Sequence, residues 1–189
     1  MRHRLLTTAA FLLVSACTAG TSSSTATPLT PAHAAALRDS VQAFLTAYAA
    51  DLSAPPLGTN AREAIGRFLS RDVVMTTDLV PGDPVMIQTL DSLVPPTELV
   101  QQPSWIRSTR FEWGAMVITP LAPGIASYSA KYAEHVTDTT GTQTSLPGTQ
   151  QGVVRREANG WRILSVQSSH PIGTHEAQAA LTARMARTP

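Results

Sequence analysis

One cysteine, Cys17, occurs in the 189 residues. The chain can therefore form no intramolecular disulfide and no Cys-rich metal site. Charge is scarce too: Asp, Glu, Lys and Arg make up 14% of the chain, the formal net charge is +1, and no basic run occurs. That leaves no electrostatic footprint for nucleic acid. No apolar run reaches the roughly 20 residues of a membrane-spanning helix. A phosphate-binding loop, a Gly-x-Ser-x-Gly elbow and a dinucleotide fingerprint are all missing. His33, His135, His170 and His175 lack metal-ligand spacing, so neither a metal nor a cofactor is expected. What is present is 43% hydrophobic residues, enough for a core, and length for one domain.

The first residues are an address. Arg2, His3 and Arg4 precede an uncharged apolar run from Leu5 to Val14, the layout of a secretory signal peptide. The run ends in Val14-Ser15-Ala16-Cys17, which resembles the lipobox of bacterial lipoproteins. The resemblance implies a signal peptide over 1–16 and a lipidated Cys17 that anchors the chain to a lipid bilayer. It places the protein in a bacterial cell envelope, on the periplasmic face of the outer membrane where there are two membranes. Thr18 supports that placement, since an aspartate there marks inner-membrane retention. Lipidation would also leave no free thiol. Thr18 to Pro31 is small, polar and uncharged, a tether averaging about 20 Å end to end.

A globular domain is expected over 32–171, with a tail over 172–189. Thr30 can cap a helix that Pro31 opens. Leu37, Val41, Phe44, Leu45, Tyr48 and Leu52 then form one stripe at helical period, and Pro55-Pro56 with Gly58 ends it. Asn60 and Glu63 have capping-box spacing for a short second helix with Ile65, Phe68 and Leu69 on its apolar face. Arg71-Asp72 reads as a turn and Val73 to Thr77 as a strand. Met86 to Leu93 reads as a third short helix, ended by Pro95-Pro96. Two long strands follow, Arg107 to Thr119 and Ile125 to Thr137, separated by a turn over Pro120 to Gly124. Asp138 to Gly148 reads as a polar loop. A hairpin over Gln150–Glu157 and Trp161–Ser169 turns at Asn159-Gly160. His175 to Arg187 reads as a frayed helix that packs loosely or not at all. Helices first and antiparallel strands after them is an α+β order.

Both sheet faces carry apolar side chains. Alternation puts Phe111, Trp113, Ala115 and Val117 on one face, with Met116 and Ile118 on the other. It likewise sets Trp161 and Ile163 against Leu164 and Val166. Helices cover one face, so a homodimer is expected to cover the other.

The stretch from Gly152 to Pro171, with Val154, Arg155-Arg156, Gly160-Trp161, Val166 and Ser169, is similar to the calcium/calmodulin-dependent kinase association domain and its bacterial relatives. Those belong to the SnoaL-like branch of the nuclear-transport-factor-2-like superfamily. The similarity runs over about 33–171, and Gly82-Asp83 matches it loosely. It implies a cone-shaped sheet wrapped around the N-terminal helices with a pocket inside. Relatives often carry histidines near the final serine; this chain has Ser165 and Gln167 there, so no role for them transfers. The superfamily includes enzymes and non-catalytic domains alike.

Ala126, Tyr128, Ala130, Tyr132 and Glu134 share one strand face, which reads either as a pocket wall or as packed core. Tyr128 and Tyr132 are candidate ligand contacts, and Glu134 is a candidate acid or base near the mouth. Asp78 is a candidate base or a strand-end turn residue. His170 is expected at the strand end, exposed at the rim, with a catalytic role as the alternative. His135 is assigned to an interface or to solvent. One of Arg155 and Arg156 must face the cone and needs an anionic partner: Glu112, Glu134 or an acidic ligand. Arg156 is the candidate for that ligand contact. Two readings stay open: non-catalytic binding or dimerisation, favoured because no carboxylate, histidine and tyrosine cluster on one predicted face, and general acid–base catalysis on a small molecule.

Overall fold

Thr30 closes the start of the first helix, its side chain accepting a hydrogen bond from the His33 amide, and Pro31 occupies the first turn. The computed structural model describes residues 28–78, 86–94 and 96–185. The signal segment, Cys17, most of the tether and Gly82-Asp83 lie outside the described residues. Helix α1 spans Pro31–Ser53 and buries Leu37, Val41, Leu45 and Tyr48, the predicted stripe. Asn60 caps α2, Ala61–Gly66, accepting from the Glu63 amide.

The first strand, β1, spans Leu69–Thr77, so Leu69 is not on a helix face and Arg71-Asp72 is not a turn. The cause lies far along the chain. Leu69 pairs with Ile163, and the Ile163 amide donates to Phe68 O at 2.7 Å, drawing the segment into the sheet early. The expected third helix divides into a strand, β2 (Met86–Thr89), and one helical turn, α3 (Leu90–Leu93), because Thr89 and Ser92 form a capping box at the junction.

Three long strands follow: β3 (Ile106–Ala122), β4 (Ile125–Asp138) and β5 (Gln143–Glu157). Pro120 belongs to β3 and not to the turn; an edge strand tolerates the missing donor, and Gly124 at φ +75 makes the reversal. The expected polar loop shrinks to 139–142. The Asp138 carboxylate accepts from the Thr140 and Thr142 amides and ties the turn, so β5 starts at Gln143. The last strand, β6, spans Gly160–Ser169 and turns from β5 at Gly160, φ +108.

The sheet is curved and unclosed, in the order β2-β1-β6-β5-β4-β3. Among the described strands, only β1 and β6 run parallel. Two irregularities reverse the predicted faces. A register shift between Trp113 and Met116 brings Trp113, Met116 and Ile118 to the core, with Phe111 stacked on Tyr132, and leaves Val117 exposed. A shift at Val153/Val154 places Ile163 and Val166 in the same core as Trp161.

Helix α4, Ile172–Met185, starts earlier than expected and packs firmly. Thr174 is 1% exposed and donates to Pro147 O. Leu181 joins Val136 and Leu146 in a second apolar cluster. Among the described residues, no helix is long and apolar enough to cross a membrane.

Candidate functional site

The inner wall is built from a matched spacing on two strands. Antiparallel pairing sets Tyr128 opposite Gly152 and Tyr132 opposite Gly148. Each glycine leaves room for a ring. A Cβ on Gly148 would meet Tyr132 Cζ and Oη at 2.8 Å and His170 Cδ2 at 2.9 Å. On Gly152 it would meet Ser165 O at 2.4 Å and Tyr128 Cε1 at 2.7 Å. Tyr132 is stacked on Phe111 at 5.0 Å and lies edge-on to Trp113.

The parallel pair supplies the rest. Thr77 of β1 lies beside Ser168 of β6, so both strands end at the same rim and deliver Asp78 and His170 to one place. His170 Nδ1 is 2.5 Å from Asp78 Oδ1, and its Nε2 is 2.5 Å from Tyr132 Oη. The second Asp78 oxygen accepts from the His170 amide and from Ser169 Oγ, both at 3.1 Å. With Nδ1–H directed at a carboxylate, neutral His170 accepts the Tyr132 hydroxyl at Nε2. The chain continues inward: Ser168 bonds Tyr132, Gln150 Nε2 donates to Ser168 Oγ at 3.2 Å, and Tyr128 Oη donates to Gln150 Oε1 at 2.9 Å.

Electrostatics divides these groups. Burial would raise Asp78, but its bonds from His170 and Ser169 outweigh that and hold the carboxyl below its ordinary range. Glu134 moves the other way: burial raises it, and a proton on His170 would offset only part of that. Burial pushes Tyr132 and Tyr48 up to about 12 and Tyr128 up as well, so all three are neutral phenols at ordinary pH.

A raised Glu134 means that its contribution to stability is fully present below the ordinary glutamate range and is lost as pH rises through its own higher value. Glu134→Gln should therefore melt at a higher temperature than the wild type at about pH 7 and no higher at about pH 4. Thermal melts at the two pH values check this, and equal gains at both would contradict it.

Of the predicted site residues, the structure brings Asp78, His170 and Tyr132 into direct contact, links Tyr128 through Gln150 and Ser168, and sets Glu134 on the same wall. His170 is not an exposed rim histidine, because its side chain is 2% exposed; the two partners hold it inward. Arg156 stays apart. It is exposed, eight positions along β5 from Gly148, about 26 Å of strand. Arg155 pairs with Glu157 at 2.8 Å, not with Glu112 or Glu134. His135 lies 3.4 Å from Glu112. Sequence reasoning missed Gln150, Ser168 and His175. The four-residue spacing shared by Tyr128/Tyr132 and Gly148/Gly152 was the available signal. Among the described residues, no group of three His, Cys, Asp or Glu could hold a metal ion.

No family model and no curated protein matches the sequence. Solved structures match the fold. A nuclear transport factor 2-like superfamily protein from Salmonella enterica is 10% identical with a TM-score of 0.53, covering 72% of this chain and 92% of that one. A candidate scytalone dehydratase from Novosphingobium aromaticivorans is 12% identical with a TM-score of 0.56, covering 73% and 86%. A candidate calcium/calmodulin-dependent kinase II association domain from Exiguobacterium sibiricum is 15% identical with a TM-score of 0.51, covering 72% and 94%.

Proposed function

Taking this nuclear-transport-factor-2-like fold as the premise, we propose that the domain binds a small neutral molecule at the Tyr132–Glu134 wall and acts on it by general acid–base chemistry. One observation carries this: a buried histidine is bonded to Asp78 on one side and to Tyr132 on the other, with Glu134, raised where Asp78 is lowered, two residues from Tyr132 on the same strand face. Groups whose surroundings separate their proton affinities divide the roles of acid and base. Asp78 rests ionised and orients His170, which takes a proton through Tyr132. Glu134, biased toward its protonated form, donates. Isomerisation and dehydration need such a pair, one group removing a proton while the other protonates an oxygen. The scytalone dehydratase neighbour supports that class. The hydrogen-bonded chain contains no Lys or Arg, which favours a neutral ligand over an acidic one.

The lipobox-like start supports a domain tethered by lipidated Cys17 at an envelope membrane. Dimerisation is a second reading, favoured by the outer face. There Val74, Ile87 and Val117 are 46%, 70% and 66% exposed, and Val74 and Val117 line an open groove of about 450 Å³. A two-fold partner copy would cover it.

Native mass spectrometry of the full chain purified from its host tests the ligand. The expected spectrum shows a small non-covalent molecule on the wild type and none on Tyr132→Phe. A bare wild type that also retains neither added phenol nor added 2-cyclohexenone overturns the proposal.

A further inference from the structure

A base that takes up a proton must release it, and His170 has no direct way to do so. Its side chain is 2% exposed and both ring nitrogens are bonded. The inward branch, through Tyr132, Ser168 and Gln150, ends at Tyr128, which is 2% exposed. Among the described residues the outward branch runs through Asp78, whose side chain is 26% exposed. Beyond Asp78 stands His175, 39% exposed, with Nε2 at 3.9 Å from Asp78 Oδ2.

We propose that His175, in the first turn of α4, is the exit for the proton that His170 takes up. This rests on the reading of His170 as the base. The steps balance without any redox change. As the substrate's C–H bond breaks, its proton forms a new O–H bond on Tyr132, while the original Tyr132 O–H bond breaks and the His170 Nε2–H bond forms, giving an imidazolium beside a neutral phenol. The Nδ1–H bond then breaks and the proton passes to Asp78, leaving a neutral imidazole in its Nε2–H tautomer, and ring reorientation restores the Nδ1–H form before the next turnover. The Asp78 O–H bond breaks in turn and His175 Nε2 takes the proton. At 3.9 Å that last step exceeds a hydrogen bond, so one bridging water or a small side-chain rotation completes it. His175 finally releases the proton to solvent. Asp78 holds the proton only in passing, because its bonds favour the ionised form and drive the proton on from it.

The placement of His175 follows from local structure. Pro171 ends the strand segment, and Thr174 Oγ1 donates to Pro147 O at 2.7 Å. That bond fixes the first turn against β5. The His170 and His175 rings then lie edge to face, 6.1 Å apart. Among the described residues, the other ionisable groups near His170 are Tyr132 and Glu134 on β4, and both lie on the inner side. Glu176, next along α4, is exposed.

The relay can be read without a ligand. In the full chain carrying ¹⁵N-labelled histidine, NMR saturation transfer gives the exchange rate of the His170 Nδ1 proton with water. His175→Gln should slow this exchange roughly tenfold, and added imidazole should restore it. His175→Ala provides a second variant, and Glu176→Gln should leave the rate unchanged. An unchanged rate in both His175 variants overturns the proposal, as does a slowed rate that imidazole does not restore. If the wild type carries no ligand yet shows His175-dependent exchange, the ligand reading fails and the exit stands.

Discussion

Gly152→Ala is expected to cost about 3 kcal/mol or more, a large share of the stability of one small domain. The added methyl would sit 2.4 Å from Ser165 O and 2.7 Å from the Tyr128 ring. Ser165 O is main chain, held in β6 by the pairing of Val153 with Ser165, and Tyr128 is packed in the core. Neither can yield cheaply. Urea unfolding followed by tryptophan fluorescence measures the loss. Gly148→Ala makes the contrast. There the methyl meets the ends of two side chains, Tyr132 and His170, which can rotate away. Its cost should be only about 1 to 2 kcal/mol, with Tyr132 displaced from His170. Equal losses at the two positions would refute this account.

His170→Ala should cost about 2 to 3 kcal/mol at neutral pH, because Tyr132 Oη loses an acceptor and Asp78 loses a donor where neither is freely solvated. The pH dependence gives a sharper test. Asp78 is lowered in the folded state, so its contribution is present above the ordinary aspartate range and is lost as pH falls through the folded value. Removing the imidazole should make that acid limb shallower. Urea midpoints measured from neutral pH down to about pH 3 would show the two curves converging. Parallel curves would mean that His170 does not set the state of Asp78.

The helical stripe of α1, its Thr30 cap, the Asn60 cap and the Gly160 turn were legible because each is encoded within a few residues. The inner face of β4 was legible for the same reason: Ala126 through Glu134 alternate without a break. The faces of β3 and β6 were not. Each strand carries an irregularity, and one extra residue exchanges every side chain beyond it, which is how Val117 and Val166 changed sides. The site was half legible. Asp78, Tyr132 and His170 each stood out at a strand end or on a strand face. Their meeting depends on the parallel pairing of β1 with β6, which no local pattern specifies. His170 read as exposed because a strand-end histidine before proline ordinarily is; the carboxylate and phenol that hold it inward come from 92 and 38 positions away. Residues 143–148 read as loop although they belong to β5, because they are mostly small and polar, with Leu146 alone reaching the second cluster.

The parallel pair also sets an order in time. Asp78 and His170 are separated by 92 residues, with three long hairpin-connected strands between them. Local pairing of β3, β4 and β5 can begin as soon as each turn closes, whereas joining β1 to β6 must close nearly the whole domain. The proton chain is thus a product of the final long-range closure, and a chain stopped before β6 would hold a folded meander and no relay. During synthesis the domain would leave the ribosome with its sheet largely paired and its chemistry absent, acquiring both functional strand ends in a single late step.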